Sequence, residues 1–318
     1  MNKTPQRGGV MTEQERYRGC LLGLACGDAV GTTEEFSVRG SFAPITDMVG
    51  GGPFKLPAGA WTDDCAMALC LAQSLLYCQG FNAADQMNRY TNWADHGYMS
   101  STGSCFDIGM TVARALERYR KTGDPYAGDT DPHTAGNGSL MRLAPVPMFY
   151  GNSLARTVHY AGESARTTHG AEEAIACTRL FATQLHLALM GAGKQQIVLE
   201  HGFHTGVPMV AALAAGGWQR KGERDIRGSG YVVESLEAAL WCFWHTDSYE
   251  AAVLKAANLG DDADTTAAIC GQLAGAHYGV AGIPPNWLAK LVMHDDIVQL
   301  ADRLLAEREP VAPLGAQP

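Results

Sequence analysis

Positive charge is in short supply. The 24 Lys and Arg residues stand against 33 Asp and Glu, a formal charge of −9, and a chain of that sign does not by itself collect phosphate backbones or anionic lipid. Charge of either sign is sparse, at 18% of the 318 residues against 46% apolar ones, which excludes a self-repelling disordered chain and allows a large buried core. Paired cysteine spacing is missing. The nine cysteines (Cys20, Cys26, Cys65, Cys70, Cys78, Cys105, Cys177, Cys242 and Cys270) are odd in number and form no CxxC pair. They read as small buried residues in a reducing compartment, not as a disulfide scaffold. After Lys3 and Arg7 no apolar segment follows before Cys20, so no secretory signal is visible and a cytoplasmic location is expected. The longest apolar stretch, Thr265 to Ile283, is interrupted by Gln272, His277 and several glycines, which argues against a membrane span.

Strand-like alternation and a βαβ rhythm are also lacking. Helical periodicity is present in Glu13–Ala29, Asp63–Cys78, Ala83–Ala94, Ile108–Arg120, Ala171–Met190, Tyr231–Trp244, Tyr249–Leu259 and Asp264–Tyr278, and predicts an all-α fold. Although 318 residues allow two domains, no linker or tandem repeat divides the chain. The expected organisation is an N-terminal extension over 1–16, one helical domain over 17–305 and a tail over 306–318. Glycine recurs every fourth residue at Gly23, Gly27 and Gly31, and again at Gly271, Gly275 and Gly279. Each set leaves a bare stripe on one helix face, at about 1 kcal/mol per glycine relative to alanine, so close packing must compensate.

Polar clusters lie beside these stripes. Trp61-Thr62-Asp63-Asp64 opens one predicted helix and Gly260-Asp261-Asp262-Ala263-Asp264-Thr265-Thr266 opens another. Asp and Thr at a helix start are ordinary N-caps, but a cap uses one side-chain oxygen, not three carboxylates and two hydroxyls. Clustered carboxylates raise one another's pKa unless a cation compensates, and neither cluster contains Lys or Arg. Their all-oxygen donor set suits hard ions such as Mg²⁺ or Mn²⁺ better than zinc. Two weaker signals complete the set. Gly27-Asp28-Ala29-Val30-Gly31 leads into Glu34-Glu35-Phe36, an acid-bearing turn that equally suits a solvated helix end. Gly136-Asn137-Gly138-Ser139-Leu140-Met141-Arg142 is a plausible backbone-amide cradle for phosphate oxygens, without the P-loop or dinucleotide signature.

In this order, from about Tyr17 to Leu288, these segments resemble the ADP-ribosylglycohydrolase family, in particular its bacterial dinitrogenase-reductase-activating branch; Gly230-Tyr231-Val232-Val233 adds a fifth, weaker match. The resemblance implies an orthogonal bundle of helices with two Mg²⁺ or Mn²⁺ ions at the floor of a cleft. By position, Thr62, Asp63 and Asp64 match one ligand group and Asp262, Asp264 and Thr265 the other, with Asp261 just outside and Asp28 in support. Glu35 matches a mobile acid that reaches the metals or the attacking water, and Asp107 an acid near the ribose. Gly136, Asn137, Gly138 and Ser139 would line the diphosphate, while His169 and Tyr231 would stand near the substrate. Read alone, His169 suits a core or cap histidine, Asp107 an N-cap and Tyr231 the core. The sequence departs from the family at Cys65, where a Thr or Ser is usual.

The reaction so implied is hydrolysis of the N-glycosidic bond of an ADP-ribosylated protein, most typically at arginine, releasing ADP-ribose and reversing mono-ADP-ribosylation. Cleavage passes through an oxocarbenium-like ribose. The alternatives are an immunity or binding protein that neutralises a cognate ADP-ribosyltransferase by contact, through the cleft or residues 1–16, and a hydrolase acting on another acceptor. Intact carboxylates in both clusters favour catalysis.

Overall fold

A computed structural model describes residues 9–312; residues 1–8 of the expected N-terminal extension and 313–318 of the expected tail lie outside the described residues. The described chain forms fifteen α-helices and no strand: α1 (Glu13–Gly31), α2 (Asp63–Cys78), α3 (Ala83–His96), α4 (Met110–Thr122), α5 (Gly138–Met141), α6 (Pro145–Phe149), α7 (Leu154–Arg166), α8 (Glu172–Leu189), α9 (Lys194–Val198), α10 (Pro208–Ala214), α11 (Val232–Trp244), α12 (Tyr249–Ala257), α13 (Ala263–Tyr278), α14 (Pro285–Lys290) and α15 (His294–Ala306). None is long and apolar enough to cross a membrane. All nine cysteines are free.

The two glycine stripes pack on each other. A Cβ on Gly23 would lie 2.3 Å from the Gly271 carbonyl oxygen, and one on Gly275 would lie 1.9 Å from that of Gly19. At the far end, a Cβ on Gly31 would meet the Ala263 carbonyl oxygen at 2.4 Å. Helices α1 and α13 therefore run antiparallel in backbone contact, and the C-terminal end of α1 lies against the first turn of α13. Both helices are buried almost all round, as central helices must be when a shell of others covers them.

Eight helices fall where the periodicity places them, with ends shifted by one or two residues. Helix α7 does not announce itself, because its buried face consists of Thr157, Ala161, Gly162, Ser164 and Ala165, with no large aliphatic side chain to mark it. Helix α15 buries Ile297, Leu300, Ala301 and Leu304. That i, i+3, i+4, i+7 spacing is legible, but Met293 at its N-cap supplies no start signal.

Candidate metal centre and cleft

The two acidic helix starts meet. Thr62 occupies the N-cap position of α2 and Asp262 that of α13, yet neither side chain makes a capping bond. The Thr62 hydroxyl instead lies 2.8 Å from Asp28 Oδ1, 3.0 Å from Asp264 Oδ2 and 3.2 Å from Asp63 Oδ1. Thr265 Oγ1 donates to Asp64 Oδ1 at 3.3 Å. Asp262 Oδ2 accepts from the Asn137 side-chain amide at 2.7 Å. Asp28, from the last turn of α1, accepts the backbone amides of Thr62 (2.9 Å) and Cys65 (3.0 Å). It ties the first turn of α2 to the α1/α13 pair.

Carboxylate oxygens of Asp28, Asp64 and Asp264 lie within 4.8 Å of one another, and so do those of Glu35, Asp107 and Asp264. Among the described residues no Lys or Arg lines the cleft above them. Burial and the neighbouring acids push Asp63, Asp64 and Asp262 well above the carboxylate range. Burial carries Asp264 to about 8, with Asp107 and Asp28 adding repulsion; burial likewise brings Asp28 to about 7 against the hydrogen bonds that it accepts. Glu35 Oε2, Asp64 Oδ2 and Asp264 Oδ1 are buried without a hydrogen-bond partner. Buried anionic oxygens with no donor are costly, and a hard divalent cation supplies what they lack. The donor set fits such an ion.

Glu35 reaches the cluster from the loop that follows α1, and burial, then the charges of Asp264 and Asp107, drive its carboxyl strongly upward. Two backbone bonds hold that loop to the start of α13: Phe36 N to Asp261 O and Asp261 N to Ser37 O, each 2.7 Å. Phe36, Asp261 and Asp107 all have positive φ (66°, 57° and 57°) without being glycine. Such strain persists only where the surroundings enforce it, and here it concentrates around one cleft. Asp107 is not a cap, since α4 starts from Gly109. It faces the cleft, and burial raises it to about 6.

The cleft, of about 450 Å³, is walled by Gly136, Asn137, Gly138 and His169 on one side and by Ile108, Gly109 and Met110 on another. A Cβ on Gly138 would sit 2.4 Å from His169 Cε1, so the glycine makes room for the imidazole. His169 Nδ1 pairs with Thr168 Oγ1 at 2.8 Å. Burial and then the charge of Arg142 drive its pKa to about 3, leaving it neutral.

The profile of the ADP-ribosylglycohydrolase family matches residues 10–313. The chain belongs to that family. It is 46% identical over 302 residues to the ADP-ribosylarginine hydrolase Tri1 of Pseudomonas putida, covering 95% of this chain and 81% of that one. Against the ADP-ribosyl-(dinitrogen reductase) glycohydrolase of Rhodospirillum rubrum it is 32% identical over 309 residues, covering 92% and 96%. A solved ADP-ribosylglycohydrolase-related protein complex superposes with a TM-score of 0.83 at 42% identity, over 93% of this chain and 99% of that one. The all-α architecture expected from the family is therefore present.

Within this ADP-ribosylglycohydrolase fold, the expected site residues separate into two groups. Glu35, Asp63, Asp107, Gly136, Asn137, Gly138, His169, Asp262, Asp264 and Thr265 line the cleft, with Thr62 and Asp64 buried beneath. Ser139 does not reach it: the residue is fully buried and its hydroxyl pairs with that of Thr178 at 2.8 Å. The Tyr231 hydroxyl turns to Glu173, and only its backbone serves the site, pairing with Gly136. Asn137 spends its amide on Asp262 and on Ser235 Oγ (3.1 Å), so it orients a carboxylate. Sequence reasoning undervalued Asp28. Its signal was present, an acid beside the glycine stripe in the last turn of α1, but its partners lie on another helix.

Proposed function

We propose that this chain is a divalent-metal-dependent hydrolase that cleaves the bond between C1 of the distal ribose of ADP-ribose and a modified arginine side chain, releasing ADP-ribose and reversing mono-ADP-ribosylation. One observation carries the metal-dependent part: a buried cluster of carboxylates with unpartnered oxygens and, among the described residues, no cationic side chain, at the floor of a cleft. The names of the relatives, ADP-ribosylarginine hydrolases, favour arginine as acceptor. The substrate is the product of an ADP-ribosyltransferase, the class of enzyme that must act first.

Two Mg²⁺ or Mn²⁺ ions would be held by Thr62, Asp63 and Asp64 on one side and Asp262, Asp264 and Thr265 on the other. When bound, such ions polarise ligand oxygens and make a nucleophile available at neutral pH. Asp28 fixes Thr62, and Asn137 fixes Asp262. The cluster's negative potential favours the positive charge that develops on the ribose as the C1–N bond stretches. With cations neutralising the cluster, Glu35 would be ionised and would accept the proton of the attacking water as the water oxygen bonds to C1, a role that typically contributes about 10² to 10⁴ in rate. Asp107, across the cleft, returns a proton to the departing guanidine nitrogen. Neutral His169 orients the substrate by hydrogen bonding without adding positive charge beside the ribose.

The test is incubation with proteins ADP-ribosylated on arginine or on serine, scoring free ADP-ribose. Release from the arginine-linked substrate, lost with chelator and restored by Mg²⁺ or Mn²⁺, is expected. Chelator-resistant release would remove the metal, and release from serine alone would move the acceptor.

A further inference from the structure

A second groove, of about 570 Å³, lies behind the loop that carries Glu35, and Phe36 and Asp261 line both it and the cleft. Its floor is fixed by Arg39, whose guanidinium donates to the carbonyls of Leu259 (3.1 Å), Glu223 (2.8 Å) and Ile226 (2.6 Å). These bonds anchor the 223–227 turn. The turn presents Arg224 and Arg227, both exposed, and neither pairs with an acid among the described residues. Between positions 220 and 227, Arg220, Lys221, Arg224 and Arg227 outnumber Glu223 and Asp225, a local reversal in a chain of net charge −9. Beside them Phe36 and Val38 are 67% and 74% exposed. The groove also holds two acids, Glu234, which accepts from Ser229 Oγ at 2.8 Å, and Asp261, against the three arginines Arg39, Arg224 and Arg227.

Unpaired arginines next to exposed apolar side chains, on a rigid turn and continuous with the cleft, match the footprint of a docking surface. Free ADP-ribose would not need it, because the cleft alone takes the nucleotide. On the reading that the cleft hydrolyses ADP-ribosyl-arginine, we propose that this groove receives the stretch of the modified protein flanking the ADP-ribosylated residue. It selects acidic residues next to an apolar one. Arg224 and Arg227 pair with the acids, and Phe36 and Val38 cover the apolar side chain.

Steady-state kinetics on three substrates test this: free ADP-ribosyl-arginine, a peptide with ADP-ribosyl-arginine flanked on both sides by Asp, Glu and Leu, and the same peptide with Lys in place of the acids. For the full-length wild-type chain, kcat/KM on the acidic peptide should exceed that on the other two about tenfold, the size expected of two favourable exposed ion pairs together. That advantage should shrink in 0.5 M NaCl through screening. The R224E/R227E variant should reverse the preference between the peptides, and R224K/R227K should retain most of it. Equal wild-type kcat/KM on the two peptides would overturn the proposal, as would a proportional loss on all three substrates in R224E/R227E. Failure of the wild type to act on any of the three would instead overturn the hydrolase reading, and the docking surface with it.

Discussion

The hydroxyl of Thr62 lies 3.0 Å from Oδ2 of Asp264, although 202 positions separate the two residues. Helix α1 brings them together. Its bare glycine face admits α13 to backbone contact, and its Asp28 grips the first turn of α2. The spacing of the acidic cluster is thus set by packing several turns away.

The glycine contact therefore bears on both stability and the site. A methyl group on Gly271 would sit 2.2 Å from the Gly23 carbonyl oxygen, and neither helix backbone can move aside cheaply. Gly271→Ala should cost roughly 1–3 kcal/mol, the usual range for overpacking, and weaken cation binding as well. Urea denaturation and calorimetry with Mg²⁺ measure the two; an unchanged urea midpoint would deny the close contact its role.

Asp264 touches both carboxylate groups, so Asp264→Asn should separate two effects. Removing a buried acid that has no counter-charge should raise the Tm of the chelated protein. The same change should abolish the stabilisation by cation, which for wild type is about 2.7 kcal/mol at 100 times Kd. A variant that still gains Tm with Mg²⁺ to the wild-type extent would remove Asp264 from the ligand set.

Asn137 holds Asp262 from behind. Asn137→Ala should lower cation affinity about 10- to 100-fold, as loss of a partner behind a ligand does, with little change in fold. Calorimetric titration with Mn²⁺ reports it directly.

Glu35→Gln keeps the shape of the acid and removes its proton-accepting form. ADP-ribose binding should persist while turnover falls about 10² to 10⁴. Wild-type turnover would take Glu35 out of the chemistry.

The pH response should invert with cation. Asp28 and Asp264 titrate near 7 and 8 in the fold, above the unfolded value of about 3.9. Their folded form is therefore favoured when protonated. The contribution is complete below the unfolded pKa and is lost as pH climbs through the folded values. Thermal melts in chelator should show Tm falling between about pH 6.5 and 8.5. Saturating Mg²⁺ should widen the gap over that same window, because cation and proton compete for the same oxygens. His169, depressed to about 3, acts in the opposite direction only below about pH 6.5. A chelated Tm that rose through the window would contradict the clustering of uncompensated acids.

Local chemistry made much of this legible. Runs of aliphatic side chains mark the helices whose buried faces carry them, and they are missing from α7, whose buried face is built of Thr, Ser, Gly and Ala. Residue type and position alone single out Asp63, Asp64, Asp262 and Asp264, because capping cannot account for so many carboxylates. For Ser139 and Tyr231 the side chains do not take the place beside the substrate that the resemblance implied. Their neighbours in sequence reach the cleft, but which way a side chain turns depends on partners such as Thr178 and Glu173 that come from helix α8.

By itself the sequence determined the class of fold and the family, since these follow from periodicity and ordered motifs. Tertiary structure alone decided how the two acidic helix starts meet, that Asp28 accepts the amides of the first turn of α2, and that Asn137 serves a carboxylate. Convergence of this kind depends on how closely α1 and α13 approach. That distance is fixed by steric contact between two backbones, which no local stretch of sequence contains.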